Sequence, residues 1–164
     1  MFKNFIRPVV KVLKHVDNSS AVLAAIKKLE RQDVLMGVPQ AESTRPGEPI
    51  NNAELAFIHT EGSPANNIPP RPFLQPSVMA HKDNVSILQK KVIQAALAGD
   101  VNLVSVGLTK IGLYTQTTAQ KWFTDPRNNW PPNAPYTIAR KGSDKPLIDT
   151  GALRQSIKYV VRDS

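Results

Sequence analysis

The residues that most resemble a catalytic pattern are Leu-Ile-Asp-Thr-Gly-Ala at positions 147–152. If two copies of the chain paired this segment, their two Asp149 carboxylates could share one proton, and one of them could activate a water molecule. The chemistry would be peptide-bond hydrolysis. That use of Asp149 requires a surrounding sheet, yet the preceding residues have a helical pattern. A simpler interpretation is that Asp149 or Thr150 caps a short helix through Leu153, and that Gly151 allows a tight entry to it.

No other set of side chains indicates catalysis, a metal or a cofactor. The three histidines, His15, His59 and His81, lack the mutual spacing of metal ligands. Glu61 follows His59 closely, but neither has a nucleophile or an oxyanion partner nearby in the sequence. The chain has no cysteine, and it has no glycine-rich phosphate loop. We therefore expect neither an enzyme nor a cofactor.

Residues 68–76 form the most distinctive stretch, because four of the nine are proline. Each ring fixes φ and removes a backbone donor, so we expect a stiff, extended segment, here called the strap. The strap would present Arg71 and Phe73 in a fixed geometry. We expect Phe73 to anchor it to the core of its own chain and Arg71 to make a fixed polar contact, either within its own chain or with a neighbouring subunit. The alternative is a rigid linker between two elements.

Charge is concentrated at the two ends of the chain. Its 164 residues carry a net charge of +8, with seven basic and two acidic residues in 1–32, and seven and three in 127–164. Basic ends can face nucleic acid or an acidic protein, or they can simply be solvated. No apolar run is long enough to cross a bilayer. We expect one soluble, cytoplasmic domain over 1–164, with a basic amphipathic segment at 1–18 that lacks the apolar centre of a signal peptide.

The periodicity of apolar residues predicts helices joined by proline-rich loops. The longest are expected at 77–98 and 101–123, and a Gly-Asp turn would join them into an antiparallel hairpin in which Gly107 and Gly112 permit close approach. Further helices are expected from about 19 to 31 and from 52 to 58, short strands at 34–38 and 158–162, and long loops at 39–51 and 125–135, the last with Trp130 exposed.

Three segments resemble signature motifs of the virion-morphogenesis proteins of tailed bacteriophages, the neck and tail-completion family. The first is NAELAFIHTEGS at 52–63, similar to the family's NAxLAxIHExGS. The second is IPPRPFL at 68–74, similar to IPxRPFL. The third begins with WPP at 130–132 and continues as PLIDTGALRQSI at 146–157, similar to PLxDTGxLxxSI. Thr60 departs from the first motif, and the basic N-terminal segment lies outside the resemblance, which covers 34–161.

The resemblance implies an α+β fold in which helices, including the long hairpin, cover a small mixed sheet. It also implies a structural protein of the head–tail junction that forms a ring, commonly hexameric, between the head connector and the tail, with DNA passing through the lumen. The strap and the 125–135 loop would form one ring contact and the hairpin the other. The residues expected in the interface or structural motif are Ile68, Pro69, Pro70, Arg71, Pro72, Phe73, Leu74, Trp130, Asp149, Thr150 and Gly151.

Two other functions stay open. A small nucleic-acid-binding module would use the basic termini, and neutralising Lys11, Lys14, Lys27 and Lys28 would abolish its salt-sensitive binding to DNA. An aspartic protease would lose its activity on the substitution Asp149→Asn. A ring protein would show neither behaviour.

Overall fold

The computed structural model describes residues 17–40, 44–45 and 47–164. Residues 1–16 of the expected amphipathic segment at 1–18 and part of the 39–51 loop lie outside the described residues. The elements in chain order are helix α1 (Ser19–Glu30), strand β1 (Gln32–Gly37), helices α2 (Asn52–Glu61), α3 (Leu74–Ala80), α4 (Lys82–Leu97), α5 (Val101–Trp122), α6 (Pro135–Lys141) and α7 (Ala152–Gln155), and strand β2 (Lys158–Asp163). Single 3₁₀ turns occupy Pro64–Asn66 and Pro126–Asn128.

Helices α4 and α5 form the expected antiparallel hairpin, and the α+β class is confirmed. The turn contains Gly99 with φ +76°, and the Asp100 carboxylate accepts a hydrogen bond from the Leu103 backbone N–H at 2.8 Å, which caps α5. Helix α1 and strand β1 pack against the hairpin. A first core cluster forms there from Ala25, Val92, Ala95, Ala96, Val104, Leu108 and Ile111.

The two ends of the described chain meet in the sheet. Strands β1 and β2 pair antiparallel, with Val34 opposite Val161. Within the described residues the sheet has these two strands only, so it is antiparallel where a mixed sheet was expected. Strand β1 is half-buried, with alternate residues facing solvent, since a two-stranded sheet covers the helices with one face.

Two glycines of α5 permit close packing against neighbouring elements. They were expected to let a neighbouring backbone approach, but the groups that approach them most closely are side chains. A Cβ placed on Gly107 would lie 2.5 Å from Cγ2 of Val92 on α4. A Cβ on Gly112 would overlap the ring of Tyr159 on β2. Helix α5 therefore contacts its partner helix at one glycine and the sheet at the other.

The helix expected at 77–98 is interrupted at His81, and the strap is shorter than expected. The Ser77 carbonyl accepts a hydrogen bond from the His81 ring nitrogen Nδ1 at 2.8 Å, while the His81 backbone N–H donates to Val78. A side chain thus replaces the backbone bond that would continue the helix, and α4 restarts at Lys82. The last strap residues, 74–76, form the first turn of α3, where Pro76 lacks only a donor that has no helical partner.

Candidate functional site

The strap is held to its own chain by backbone hydrogen bonds at two points. Ser63 and Ile68 exchange both backbone bonds, at 2.8 and 3.0 Å, across the turn that follows α2. The Arg71 N–H donates to the carbonyl of His59 at 2.6 Å. Residues 69–73 form neither helix nor strand. The strap therefore lies along the end of α2 and is not a free linker.

Arg71 makes the polar contact expected of it, and the contact lies within the chain. Its Nε donates to the Pro131 carbonyl at 3.0 Å and its Nη2 to the Pro132 carbonyl at 2.9 Å. The side chain is only 6% exposed, and burial lowers the pKa of its guanidinium. No described carboxylate lies within ion-pair distance of it. Arg71 thus fixes the strap to the proline-rich loop at 125–135, here called the second loop, by donating to two carbonyls.

A row of aromatic rings joins the strap to the second loop. Phe73 is fully buried, as expected, and its ring centroid lies 4.9 Å from that of Phe123 at the end of α5. Phe123 in turn meets Trp130 edge to face at 5.5 Å. The Trp130 indole N–H donates to the Pro72 carbonyl at 3.0 Å. Trp130 was expected to be exposed, but it is half-buried. It contacts the strap, whose residues lie far away in sequence, so its burial could not be predicted from the loop alone.

The base of the second loop is fixed by Asp125 and Arg127. The Asp125 carboxylate accepts from the Arg127 backbone N–H at 2.9 Å and forms a 2.6 Å ion pair with its guanidinium. These hydrogen bonds lower the pKa of Asp125 to about 2. The guanidinium also lies over the Trp122 ring, 5.6 Å from its centroid. The loop therefore leaves α5 in a defined direction.

The third motif packs against the same region, and the expected helix cap is wrong. Asp149 and Thr150 are exposed and lie in a bend. The N-cap of α7 is Gly151, with φ +82° and no side-chain cap bond; the Thr150 hydroxyl contributes only a long 3.3 Å contact with the Ala152 N–H. A residue with positive φ is most easily glycine, so the backbone conformation takes the place of the expected side-chain cap. Leu153, which follows, is buried.

The three motif segments share one core cluster. Its buried members are Ala56, Phe73, Ala119, Trp122, Phe123, Leu153 and Ile157, and Leu55, Leu74, Trp130, Leu147 and Ile148 pack against it. Apart from the α5 residues, most of these positions belong to the motifs. Of the predicted motif residues, Phe73, Leu74 and Trp130 belong to this cluster, whereas Asp149 and Thr150 lie at the surface.

A cavity of about 1110 Å³ lies beside this cluster, between α2, the strap, the second loop and α6. His59, Arg71, Arg140 and Lys141 border it, together with Asp149. Burial, and then the positive charges of Arg71 and Lys141, lower the pKa of His59 from 6.5 to about 4. Burial also lowers the pKa of Lys141, although Asp149 opposes this. Four cationic and two acidic described side chains border the cavity, so its lining carries a net positive charge.

Sequence reasoning missed His59, Asn133 and Lys141 as members of this cavity. Asn133 is buried, and its amide donates to the Asp144 carbonyl at 3.0 Å. Nothing in their spacing signals proximity, because α2 and α6 meet only through the tertiary fold. The HxE pair of His59 and Glu61 was the one local signal. Glu61 is exposed and does not border the cavity.

Among residues 17–40, 44–45 and 47–164, no group of histidine and acidic side chains is arranged to hold a metal ion. Of the described helices, none is long and apolar enough to cross a membrane. Comparison of the chain with protein-family models, curated proteins and solved structures gave no match.

Proposed function

We propose that this chain is a structural virion protein of the bacteriophage head–tail junction. It would assemble into a ring, most simply a hexamer, that joins the head connector to the tail tube or tail terminator and lets DNA pass. It would be made in the host cytoplasm and reside in the virion. The supporting observation is that the three motifs of the resemblance, 52–63, 68–74 and 130–157, supply most of one core cluster.

That convergence favours a structural role for the motifs. Their apolar residues are buried against one another, and Arg71 donates to backbone carbonyls. A surface that is already rigid loses little conformational entropy when it docks on a neighbour. Proline-stiffened loops anchored in this way suit a small subunit that must contact others at fixed angles.

A closed ring needs two different patches that meet head to tail. One candidate patch is a stripe along α5 on the side opposite its buried face. It contains Leu103, Val106 and Leu113, which are 47–55% exposed, with Lys110 between them. The other candidate is the second loop and the start of α6, where Pro131 and Tyr136 are exposed and do not border the cavity. Apolar side chains grouped on one helix face are typical of a contact surface.

Basic residues at the end of α1 and on strand β2 lie on neighbouring elements of the described structure. Helix α1 ends with Lys27, Lys28 and Arg31, and the Ser164 N–H donates to the Arg31 carbonyl at 2.7 Å. Lys158 and Arg162 are exposed on the adjacent strand β2. In a ring, these basic residues would line the lumen and contact phosphates without regard to sequence.

The same basic residues are the one observation that favours the second candidate, a nucleic-acid-binding module. The two functions differ in whether the monomer binds DNA. A binding module would bind a DNA duplex as a monomer, and binding would weaken steeply with salt. For a ring component, assembly does not require DNA.

Electron microscopy of the purified full-length chain, alone and with a connector protein, tests the proposal. We expect rings. The substitution Leu113→Glu in the α5 stripe should abolish them, because it places a charge in an apolar contact. Leu23→Glu is the matched control, since Leu23 is 58% exposed on α1, outside the stripe, and it should leave the rings intact. Single particles of one subunit under every condition would refute the ring.

A further inference from the structure

The cavity between α2, the strap and α6 combines a cationic side with apolar walls. Its volume is about 1110 Å³, and it is open to solvent. Ile68, Leu55, Leu147 and Leu153 contribute aliphatic surface. Proline rings at 69, 132 and 135 stiffen the rim. The cavity thus has a defined shape.

The buried cation of this cavity has donors to spare. A guanidinium has five N–H groups, and Arg71 makes two side-chain hydrogen bonds, both to carbonyls. Because a carbonyl carries no net charge, the positive charge of Arg71 is not neutralised by any described ion pair. His59 Nδ1 is buried and lacks a hydrogen-bond partner within the described residues. Arg71 therefore has N–H groups left to donate to a ligand that accepts hydrogen bonds, and the buried Nδ1 of His59 is a polar atom left unpaired nearby.

Two more cations stand near the cavity, and its acids do not cancel them. Arg140 and Lys141 border it from α6. Arg45 Nη1 and Glu48 Oε2 lie 3.9 Å apart, so the charges of these two side chains offset each other. Among the described residues, Asp149 borders the cavity beside Arg71, Arg140 and Lys141, and Asp144 lies near Lys141, so three cations face two acids. An anion placed there would gain charge-assisted hydrogen bonds in a partly desolvated site.

The shape of the cavity favours a protein carboxylate over nucleic acid. A duplex backbone lies on a surface, whereas Arg71 is only 6% exposed and can be reached only by a narrow group. Within the part of the chain that the structure describes, no Phe, Tyr or Trp side chain borders the cavity to stack a base. Its aliphatic walls fit the apolar residues of a peptide. The chain itself has no two adjacent acidic residues among its 13, so a second copy offers no acidic segment.

We propose that this cavity binds an acidic segment of a different protein, with glutamate or aspartate carboxylates directed at Arg71, Arg140 and Lys141 and apolar side chains against the leucine and proline walls. The site would be a docking pocket for a partner rather than a contact between identical subunits. It goes beyond the proposed ring, and peptide binding to it can be measured whether or not the chain assembles.

The test is a titration of the full chain, at low ionic strength, with the peptide acetyl-Leu-Glu-Leu-Glu-amide. Its counterpart acetyl-Leu-Gln-Leu-Gln-amide keeps the size and the apolar residues but removes the charge. Calorimetry gives the affinity, and nuclear magnetic resonance shifts of the Arg71 and Asn133 amides report the location. A short DNA duplex serves as the competitor.

The decisive variant is Arg140→Gln with Lys141→Gln, which removes two bordering charges and leaves Arg71 in place. The matched control is Lys90→Gln with Lys91→Gln, two exposed adjacent lysines on α4 that do not border the cavity. We expect the acidic peptide to bind at least tenfold more weakly to the first variant, about 1.4 kcal/mol, and with unchanged affinity to the second.

Three results would overturn the proposal. Equal weakening in both variants would show attraction to overall charge. Equal affinity for the glutamine peptide would show that the cations are not used. Displacement of the acidic peptide by DNA, with DNA affinity reduced at least tenfold by the Arg140 and Lys141 substitutions, would make the cavity a phosphate site.

Discussion

Replacing Arg71 by methionine tests whether the strap and the second loop are joined as the structure shows. Methionine keeps a long, flexible chain but removes the donors to the carbonyls of Pro131 and Pro132. A hydrogen bond to a charged group contributes about 1.5–3 kcal/mol. Both prolines are exposed, so water can replace part of the loss, and removing the buried charge lowers the desolvation cost. We therefore predict a net loss of about 2 kcal/mol in the free energy of unfolding.

Urea unfolding, followed by tryptophan fluorescence, measures this loss directly, because Trp130 lies in the loop that Arg71 holds. Arg140→Met is the matched control. Arg140 is exposed on the same cavity and makes no hydrogen bond or ion pair within the described residues, so its loss should be within about 0.5 kcal/mol of zero. Equal free energies of unfolding for the two variants would refute the assigned role of Arg71.

Three further predictions concern packing and protonation. Phe73→Ala should lower the free energy of unfolding by about 3–5 kcal/mol in urea titrations, because it empties a fully buried site; Phe57→Ala, at a position 68% exposed, should change it by less than about 0.5 kcal/mol. Gly112→Ala should lower the free energy of unfolding by about 1–3 kcal/mol, since its Cβ would overlap an aromatic ring of β2. Gly37→Ala is the control and should be tolerated, because a Cβ there meets nothing within 4 Å. Equal melting temperatures for the two variants would contradict this packing. The pKa of His59 is lowered from 6.5 to about 4, so the unfolded chain binds a proton that the folded chain does not, and stability should fall as the pH decreases from about 6.5 to 4; the difference in melting temperature between wild type and His59→Gln should vary over that interval, and a constant difference would contradict it.

The hairpin and the capped helix α2 could be predicted from sequence because their signals are local. The Gly-Asp turn at 99–100 separates two periodic segments, and Asn51 and Glu54 form a reciprocal capping box with both bonds at 2.9 Å. The break at His81 could not be predicted, because apolar periodicity carries no information about the hydrogen bond between the His81 imidazole and the Ser77 carbonyl.

The candidate site was only partly predictable for a similar reason. The prediction that Phe73 anchors the strap to the core, made from the resemblance of the strap to a family motif, is confirmed by its full burial. The partners of Arg71 and Trp130 lie about 60 residues away in sequence, and no local pattern specifies them. For Asp149, the predicted side-chain cap is wrong: the N-cap of α7 is Gly151, and Asp149 lies exposed in a bend.

Native mass spectrometry of the full-length chain, alone and mixed with purified connector and tail-tube proteins, tests the proposed ring most directly. We predict a discrete closed oligomer, most simply a hexamer of about 108 kDa, six times the 18.0 kDa chain. The substitution Leu113→Glu should reduce it to the monomer. A chain that stays monomeric at every concentration and binds neither protein would contradict a role at the head–tail junction.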